Sequence, residues 1–168
     1  MKHVRISWIV AATLALVLTS CAPAVSGATP TQPIVVADDI VSVQRGTVVY
    51  LRLEYALEDF DMAPGDVRPV LWVPSGYASE TGDVSSDFAL HDVRAAEGWQ
   101  VELHQMRADR RSVAGAPFES DSVKYTLSAL LRVSIPDGIV PGPYRVRGTL
   151  QVRGGATVPV TMRLDVRP

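Results

Sequence analysis

The chain has 168 residues, of which 47% are hydrophobic and 20% are charged, and its formal net charge is −2. This length suits one domain with a sizeable hydrophobic core. The slight acidic excess argues against nucleic acid as a partner, because phosphate binding needs a clustered basic surface. Cys21 is the only cysteine, so no internal disulfide can stabilise the fold, and stability must come from apolar burial.

The N-terminal segment has the pattern of a secretory signal. Lys2 and Arg5 precede an apolar run over residues 6–18, which is too short to cross a bilayer as a helix. Leu-Thr-Ser-Cys at residues 18–21 resembles the lipobox of bacterial lipoproteins, in which the cysteine is lipidated and becomes the new N-terminus. Ordinary signal cleavage near Ala22 is the alternative.

The lipobox resemblance implies a signal peptide over residues 1–20 and a lipidated Cys21. The cysteine would carry a diacylglycerol and often a further acyl chain such as palmitate, and two or more chains give stable membrane anchoring. The implied location is the bacterial cell envelope, either at the periplasmic face or at the cell surface. The lipidated cysteine and the small, uncharged, proline-rich segment after it form a flexible tether over residues 21–33, which lacks the apolar side chains needed to fold.

From residue 34 onward the sequence has the alternation of β-strands. We expect a first strand over residues 34–43, interrupted at Asp38-Asp39, and a second over 47–57 after a turn at Arg45-Gly46. The second strand alternates cleanly, with an inward set of Val49, Leu51, Leu53, Tyr55 and Leu57. Further strands are predicted over 67–73, 87–93 and 99–106, with loops over 58–66 and 74–86.

The second half of the chain continues the same pattern. A loop over residues 107–120 precedes the clearest predicted strand, 122–135, in which apolar residues occupy every second position. Strands over 144–152 and 157–166 follow, joined by a hairpin at Gly154-Gly155. No amphipathic helix of normal length is predicted, and about eight short strands separated by turns are typical of an all-β sandwich.

Two passages resemble immunoglobulin-like domains of bacteria. Val-Ser-Ile-Pro at 133–136 and Pro-Gly-Pro-Tyr at 141–144 are similar to their V-x-I-P and P-G-x-Y passage, and Gly-Trp-Gln-Val at 98–101 resembles the G-W-x-V passage of the domains appended to glycosidases and carbohydrate-binding modules. The resemblance covers about residues 87–166 and implies an immunoglobulin-like β-sandwich over residues 34–168. Tyr144 would then form a tyrosine corner, its hydroxyl bonded to a loop backbone. The chain departs from antibody-type domains because it lacks a core cysteine pair.

A search for catalytic chemistry finds little. The sequence contains no G-x-S-x-G nucleophile elbow, no H-E-x-x-H and no P-loop. His91-Asp92 is the one candidate base with an orienting carboxylate, and it needs a serine that the sequence does not place. An acidic loop carries carboxylate side chains of the kind that bind calcium, but their spacing does not match the EF-hand pattern. These carboxylates are Glu58, Asp59, Asp61 and Asp66. We therefore expect a protein that is not an enzyme and that has no cofactor and no metal.

Binding is the remaining class of function. Exposed aromatic residues would form a sugar-binding surface, and the candidates are Trp72 and Tyr77, whereas Trp99 is expected in the core. Candidate protein contacts lie in the predicted loop at Arg107, Arg110, Arg111 and Phe118, and an edge strand is a second route to a protein partner. We expect a non-catalytic, membrane-anchored envelope lipoprotein that acts as a protein-binding or assembly module, with a glycan-binding accessory lipoprotein as the alternative.

Charge is unevenly distributed along the chain. Residues 38–102 hold 13 acidic residues and four arginines, whereas residues 103–168 hold 10 basic and five acidic residues. The distribution permits a polarised surface for a partner. The interpretation favoured by the sequence is that the two halves interleave in one sandwich and neutralise each other.

Overall fold

The computed structural model describes residues 27–37, 40–63, 80–112 and 123–168. These residues form strands and two short 3-10 helices, Glu58–Phe60 and Ser85–Asp87. The strands are β1 (Ile34–Val35), β2 (Ile40–Gln44), β3 (Val48–Ala56), β4 (Glu80–Asp83), β5 (Phe88–Arg94), β6 (Gln100–Ser112), β7 (Val123–Ser134), β8 (Gly142–Val152) and β9 (Thr157–Arg167). The predicted strand over 67–73 lies outside the described residues.

The strands form two mixed sheets. One has the order β1-β3-β7-β6-β4 and the other the order β2-β9-β8-β5. The pairs β1/β3 and β2/β9 are parallel, and the remaining pairs are antiparallel. The predicted all-β sandwich is confirmed at this level.

The core lies between the inward faces of the two sheets. Val49, Leu51 and Leu53 of β3 are buried, as their alternation predicts. They join buried residues from the central strands of both sheets, namely Leu127, Ala129, Leu131, Val133, Val146, Leu150, Val160, Met162, Leu164 and Val166. Each large aliphatic side chain buried here stabilises the fold by about 1.5–3 kcal/mol.

The predicted first strand divides between the sheets. Its first part, β1, pairs with β3, and its second part, β2, pairs with the last strand of the chain. Asp38-Asp39, where the pattern was interrupted, lies between the two parts and outside the described residues. Val41 and Val43 of β2 point into the core, so both sheets draw apolar side chains from one short segment.

Two predicted loops are in part strands. Residues 80–83 form β4, although we expected a loop over 74–86, and β6 continues to Ser112, well into the expected loop 107–120. β4 pairs with β6, and β6 pairs with β7 along the same stretch. The polar side chains of Asp83 and Arg107 are exposed, so the backbone can join the sheet without burying charge, and a polar sequence alone does not identify a loop.

A β-bulge changes the inward face of β6. The pairing with β7 shifts between Leu103 and Gln105, so one extra residue enters the strand. The inward set therefore passes from Val101 and Leu103 to Met106 and Ala108, both of which are buried. Strict alternation over the whole strand would have pointed Met106 to solvent.

The described part of the acidic segment, residues 58–63, is anchored by a core side chain. Phe60 is 1% exposed, and its ring packs edge-on against Tyr55 at 5.5 Å and Phe88 at 5.2 Å. The Asp59 carboxylate accepts a 2.8 Å hydrogen bond from the Ala56 amide, so it closes the end of β3. No group of three or more metal-ligating side chains occurs in the described part of the chain.

Candidate functional site

An open cleft lies over the start of β5 and the end of β8. β5 is the last strand of the four-stranded sheet, and no other strand of the described ranges pairs with its outer side. The cleft has a volume of about 350 Å³ and is lined by Ser86, Asp87, Phe88, Ala89, His91, Gln151, Arg153 and Gly154. A strand edge beside a cleft can accept both the backbone and a side chain of a partner segment.

The start of β5 is held by Arg153. The Arg153 amide donates a 2.7 Å hydrogen bond to the Asp87 carbonyl, and its guanidinium donates one of 2.7 Å to the Ser86 carbonyl. Since hydrogen-bonded and non-hydrogen-bonded pairs alternate in antiparallel sheets, the Asp87–Arg153 pair sets the pattern for the strand. The Phe88 carbonyl and both backbone groups of Leu90 therefore point away from β8, toward the free edge, whereas the Phe88 amide donates a hydrogen bond to the Ser85 carbonyl.

The regular part of this edge ends at a bulge. The register with β8 shifts between His91 and Arg94, and Asp92 has a left-handed φ of 51°. Such bulges limit uncontrolled pairing at sheet edges. Within the described residues, His91 makes no hydrogen bond to a serine hydroxyl or to a carboxylate.

The outer face of the four-stranded sheet collects five exposed arginines. We call this surface the arginine face; its members are Arg94, Arg145, Arg147, Arg163 and Arg167. They point outward because Val146, Leu164 and Val166, which alternate with the β8 and β9 members, are buried. Arg94 lies directly opposite Arg147, and Arg145 lies directly opposite Arg163.

These cross-strand pairs bring like charges together. Like charges at opposed positions destabilise a sheet by a few tenths of a kcal/mol to about 1 kcal/mol. Asp165 contacts Arg167 at 2.7 Å. Among the described residues, no ion pair involves Arg94, Arg145 or Arg147.

The outer face of the five-stranded sheet differs from the arginine face in its ion pairing. Its charged side chains form ion pairs, Arg52 with Glu54 at 3.3 Å and Arg132 with Glu102 at 3.6 Å. The two halves of the sequence do interleave, as we expected, because β2 and β5 share a sheet with β8 and β9. The interleaving balances charge on this face but leaves the arginine face cationic.

Comparisons with protein-family models, with curated proteins and with solved structures find no match to this chain. The described residues also contain no helix of the length and hydropathy needed to cross a membrane.

The predicted binding residues are only partly described. Arg107 is exposed, but it lies on β6 rather than in a loop, and Arg110 and Arg111 also belong to β6. Cys21, Trp72, Tyr77 and Phe118 lie outside the described residues. Three of the four candidate residues of the predicted protein-binding loop therefore belong to the sheet.

Tyr144 and Trp99 form a pair at the end of the sandwich. The Tyr144 hydroxyl donates a 2.6 Å hydrogen bond to the Val140 carbonyl, as a tyrosine corner requires. The Trp99 ring lies 5.4 Å from the Tyr144 ring and is partly buried against the core. This packing leaves Trp99 unsuited to a sugar-binding surface.

The arginine face was missed by sequence analysis. The alternation of residues 144–152 places Arg145 and Arg147 outward, but Arg94 lies about fifty residues earlier in the chain. Only the pairing of β5 with β8 and of β8 with β9 brings these side chains to one surface. The signal available in the sequence was the basic excess after residue 103, and it does not specify a face.

Proposed function

We propose that this chain is a non-catalytic, lipid-anchored protein of the bacterial cell envelope whose immunoglobulin-like domain binds another envelope protein by strand addition at β5. The observation that carries the proposal is the free edge of β5, where the Phe88 carbonyl and both backbone groups of Leu90 point outward, with a 350 Å³ cleft over the same strand. In strand addition, backbone hydrogen bonds supply affinity and adjacent pockets supply specificity.

The strand order supports the immunoglobulin-like part of the proposal. In such domains strands B, E and D lie together in one sheet and strands G, F and C in the other. Here β3-β7-β6 and β9-β8-β5 follow that order. Tyr144 lies near the start of β8, the strand equivalent to F, where a tyrosine corner is expected, and its hydroxyl bonds to a carbonyl four residues upstream.

The anchor places the domain close to the membrane. Ala28 is 7% exposed and belongs to the core, so the ordered domain begins seven residues after Cys21. An extended chain of that length reaches at most about 25 Å. A lipidated Cys21 would therefore hold the sandwich beside the bilayer, where it meets partners confined to the same surface.

The edge proposal is tested by a matched pair of variants, Leu90→Pro and Leu90→Ala. Both remove the half-buried leucine side chain, but only proline removes the outward amide at the edge. A photo-cross-linking residue at Ala89 in cells should yield a protein adduct with the wild type and with Leu90→Ala, and none with Leu90→Pro. An adduct that is equally abundant in all three chains would refute strand addition at β5, provided that circular dichroism shows all three to be folded.

The anchor is tested separately. Cys21→Ser should abolish incorporation of labelled palmitate and leave the signal peptide uncleaved by the lipoprotein pathway. Palmitate incorporation that persists in Cys21→Ser would show that the lipobox assignment is incorrect. The edge experiment does not depend on this result, because it compares variants that share the same N-terminus.

A further inference from the structure

The arginine face is compact. Adjacent strands are about 4.8 Å apart, and alternate residues of one strand are about 7 Å apart. Arg94 and Arg147 are opposed across β5 and β8, while Arg145 and Arg163 are opposed across β8 and β9. Four guanidinium groups therefore start from a patch of about 10 Å by 7 Å, and they leave the sheet on the same side.

The charge of this patch is exceptional for the chain. Residues 21–168 carry 14 basic and 18 acidic residues, yet Asp165 is the one acid that the described register places among the arginines, and it is held by Arg167. Arg94 and Arg147, which lie directly opposite each other across β5 and β8, repel each other. An external anion that bridges them would remove that repulsion, and guanidinium groups bind phosphate through paired hydrogen bonds.

From this geometry we infer that the arginine face docks on anionic phospholipid headgroups of the membrane to which the chain is anchored. The choice of membrane rests on the proposed lipid anchor, since a short tether keeps the face within reach of the bilayer. The arginines leave the sheet on the same side, so they can meet one surface at the same time. The exposed apolar side chain of Ile40 lies beside Arg163, and cationic residues with apolar neighbours are typical of interfacial binding.

The arginines and the free edge of β5 point in different directions. The arginines project perpendicular to the sheet, whereas the free amide and carbonyl groups of β5 lie in its plane. A domain that rests on its arginine face therefore directs the β5 edge parallel to the membrane. The edge then faces other proteins held at the same surface.

The test uses the anchored protein reconstituted in vesicles of phosphatidylcholine, with or without phosphatidylglycerol. With Cys21 lipidated, Thr161→Cys introduces a single free thiol at the centre of the arginine face, next to Arg147, and His104→Cys introduces one on the opposite sheet. Energy transfer from a dye on each thiol to headgroup-labelled lipid reports which face meets the bilayer. We expect strong transfer from position 161 with phosphatidylglycerol, weak transfer in pure phosphatidylcholine, and weak transfer from position 104 in both.

The arginines are tested in the same vesicles. Near an anionic surface each arginine contributes roughly fivefold to the docking equilibrium, so Arg145→Ser with Arg147→Ser should weaken docking roughly 25-fold. The matched control, Arg107→Ser on the other sheet, should leave docking unchanged. Raising the salt from about 0.1 M to about 1 M shortens the Debye length from about 10 Å to about 3 Å and should release the face.

Two outcomes would overturn the inference. One is transfer from position 161 that is the same with and without phosphatidylglycerol. The other is displacement of the face from phosphatidylglycerol vesicles by polyglutamate at equal charge concentration, which would assign the face to an acidic protein. Failure of the anchor is distinguishable from both, because the protein would then not float with the vesicles at all.

Discussion

The hydroxyl of Tyr55 provides a quantitative test of the core. It is buried and has no hydrogen-bond partner among the described residues, while its ring packs edge-on against Phe60 at 5.5 Å. Tyr55→Phe keeps the ring contact and removes the polar atom. An unpaired buried hydroxyl costs about 1–3 kcal/mol, so we expect the variant to be more stable by about 1 kcal/mol at neutral pH, which raises Tm by about 2–4 °C for a domain of this size.

The same residue makes stability depend on alkaline pH. Burial, assisted by the negative charge of Asp59, raises the pKa of Tyr55 from 10.0 to about 12. The folded state therefore favours the neutral phenol over the phenolate. The stabilisation that comes from this preference is complete below pH 10 and is lost as the pH rises from 10 through 12. A difference of about two units corresponds to at most about 2.7 kcal/mol, and partial access of water to the ring should reduce this to about 1–2 kcal/mol.

The assay is urea denaturation of both chains at several pH values between 7 and 12. Other groups titrate in this range, so the informative quantity is the difference in unfolding free energy between wild type and Tyr55→Phe. That difference should grow in favour of phenylalanine as the pH rises above 10. A variant that is less stable at neutral pH, with a difference independent of pH, would show that the hydroxyl is well solvated or bonded.

Three further predictions concern single contacts. Phe60→Ala should lower the unfolding free energy by about 3–5 kcal/mol in urea denaturation, because it empties a buried aromatic site; a loss below about 1 kcal/mol would contradict the anchoring role. Tyr144→Phe should cost about 1 kcal/mol by the same assay, the usual net value of one hydrogen bond such as that to Val140, and an unchanged stability would count against the tyrosine corner. Hydrogen bonds from Ser85 lower the pKa of Asp83, so Ser85→Ala should raise that pKa in a carboxyl NMR titration, and an unchanged titration would refute the bond.

The sequence was most informative where one face of a strand is buried. The alternation in β3 predicted its inward residues correctly, since the pleat places every second side chain on the core side. The same rule located most of β7, β8 and β9. The rule depends on local pattern alone, so it needs no knowledge of which strands are neighbours.

The failures have separate physical causes. β4 and the second half of β6 were assigned to loops because their residues are polar, yet an exposed sheet face accepts polar side chains. The bulge before Gln105 changes which alternate residues of β6 point toward the core. A single inserted residue leaves no signal in the composition of the sequence. Phe60 was overlooked because its neighbours are acidic. The arginine face depends on register between distant strands, which no local pattern encodes.

The parallel pairing of β2 with β9 has a consequence for how the domain is made. Ile40–Gln44 pairs with residues 163–167, so one of the first segments to leave the ribosome joins the last. The four-stranded sheet cannot be completed until residue 167 has been synthesised, and contacts of such long range make folding slow, in the range of milliseconds to seconds. Loss of residues 157–167 would remove β9 and leave β2 and β8 without their shared neighbour. A chain that stops before β9 therefore cannot close the four-stranded sheet.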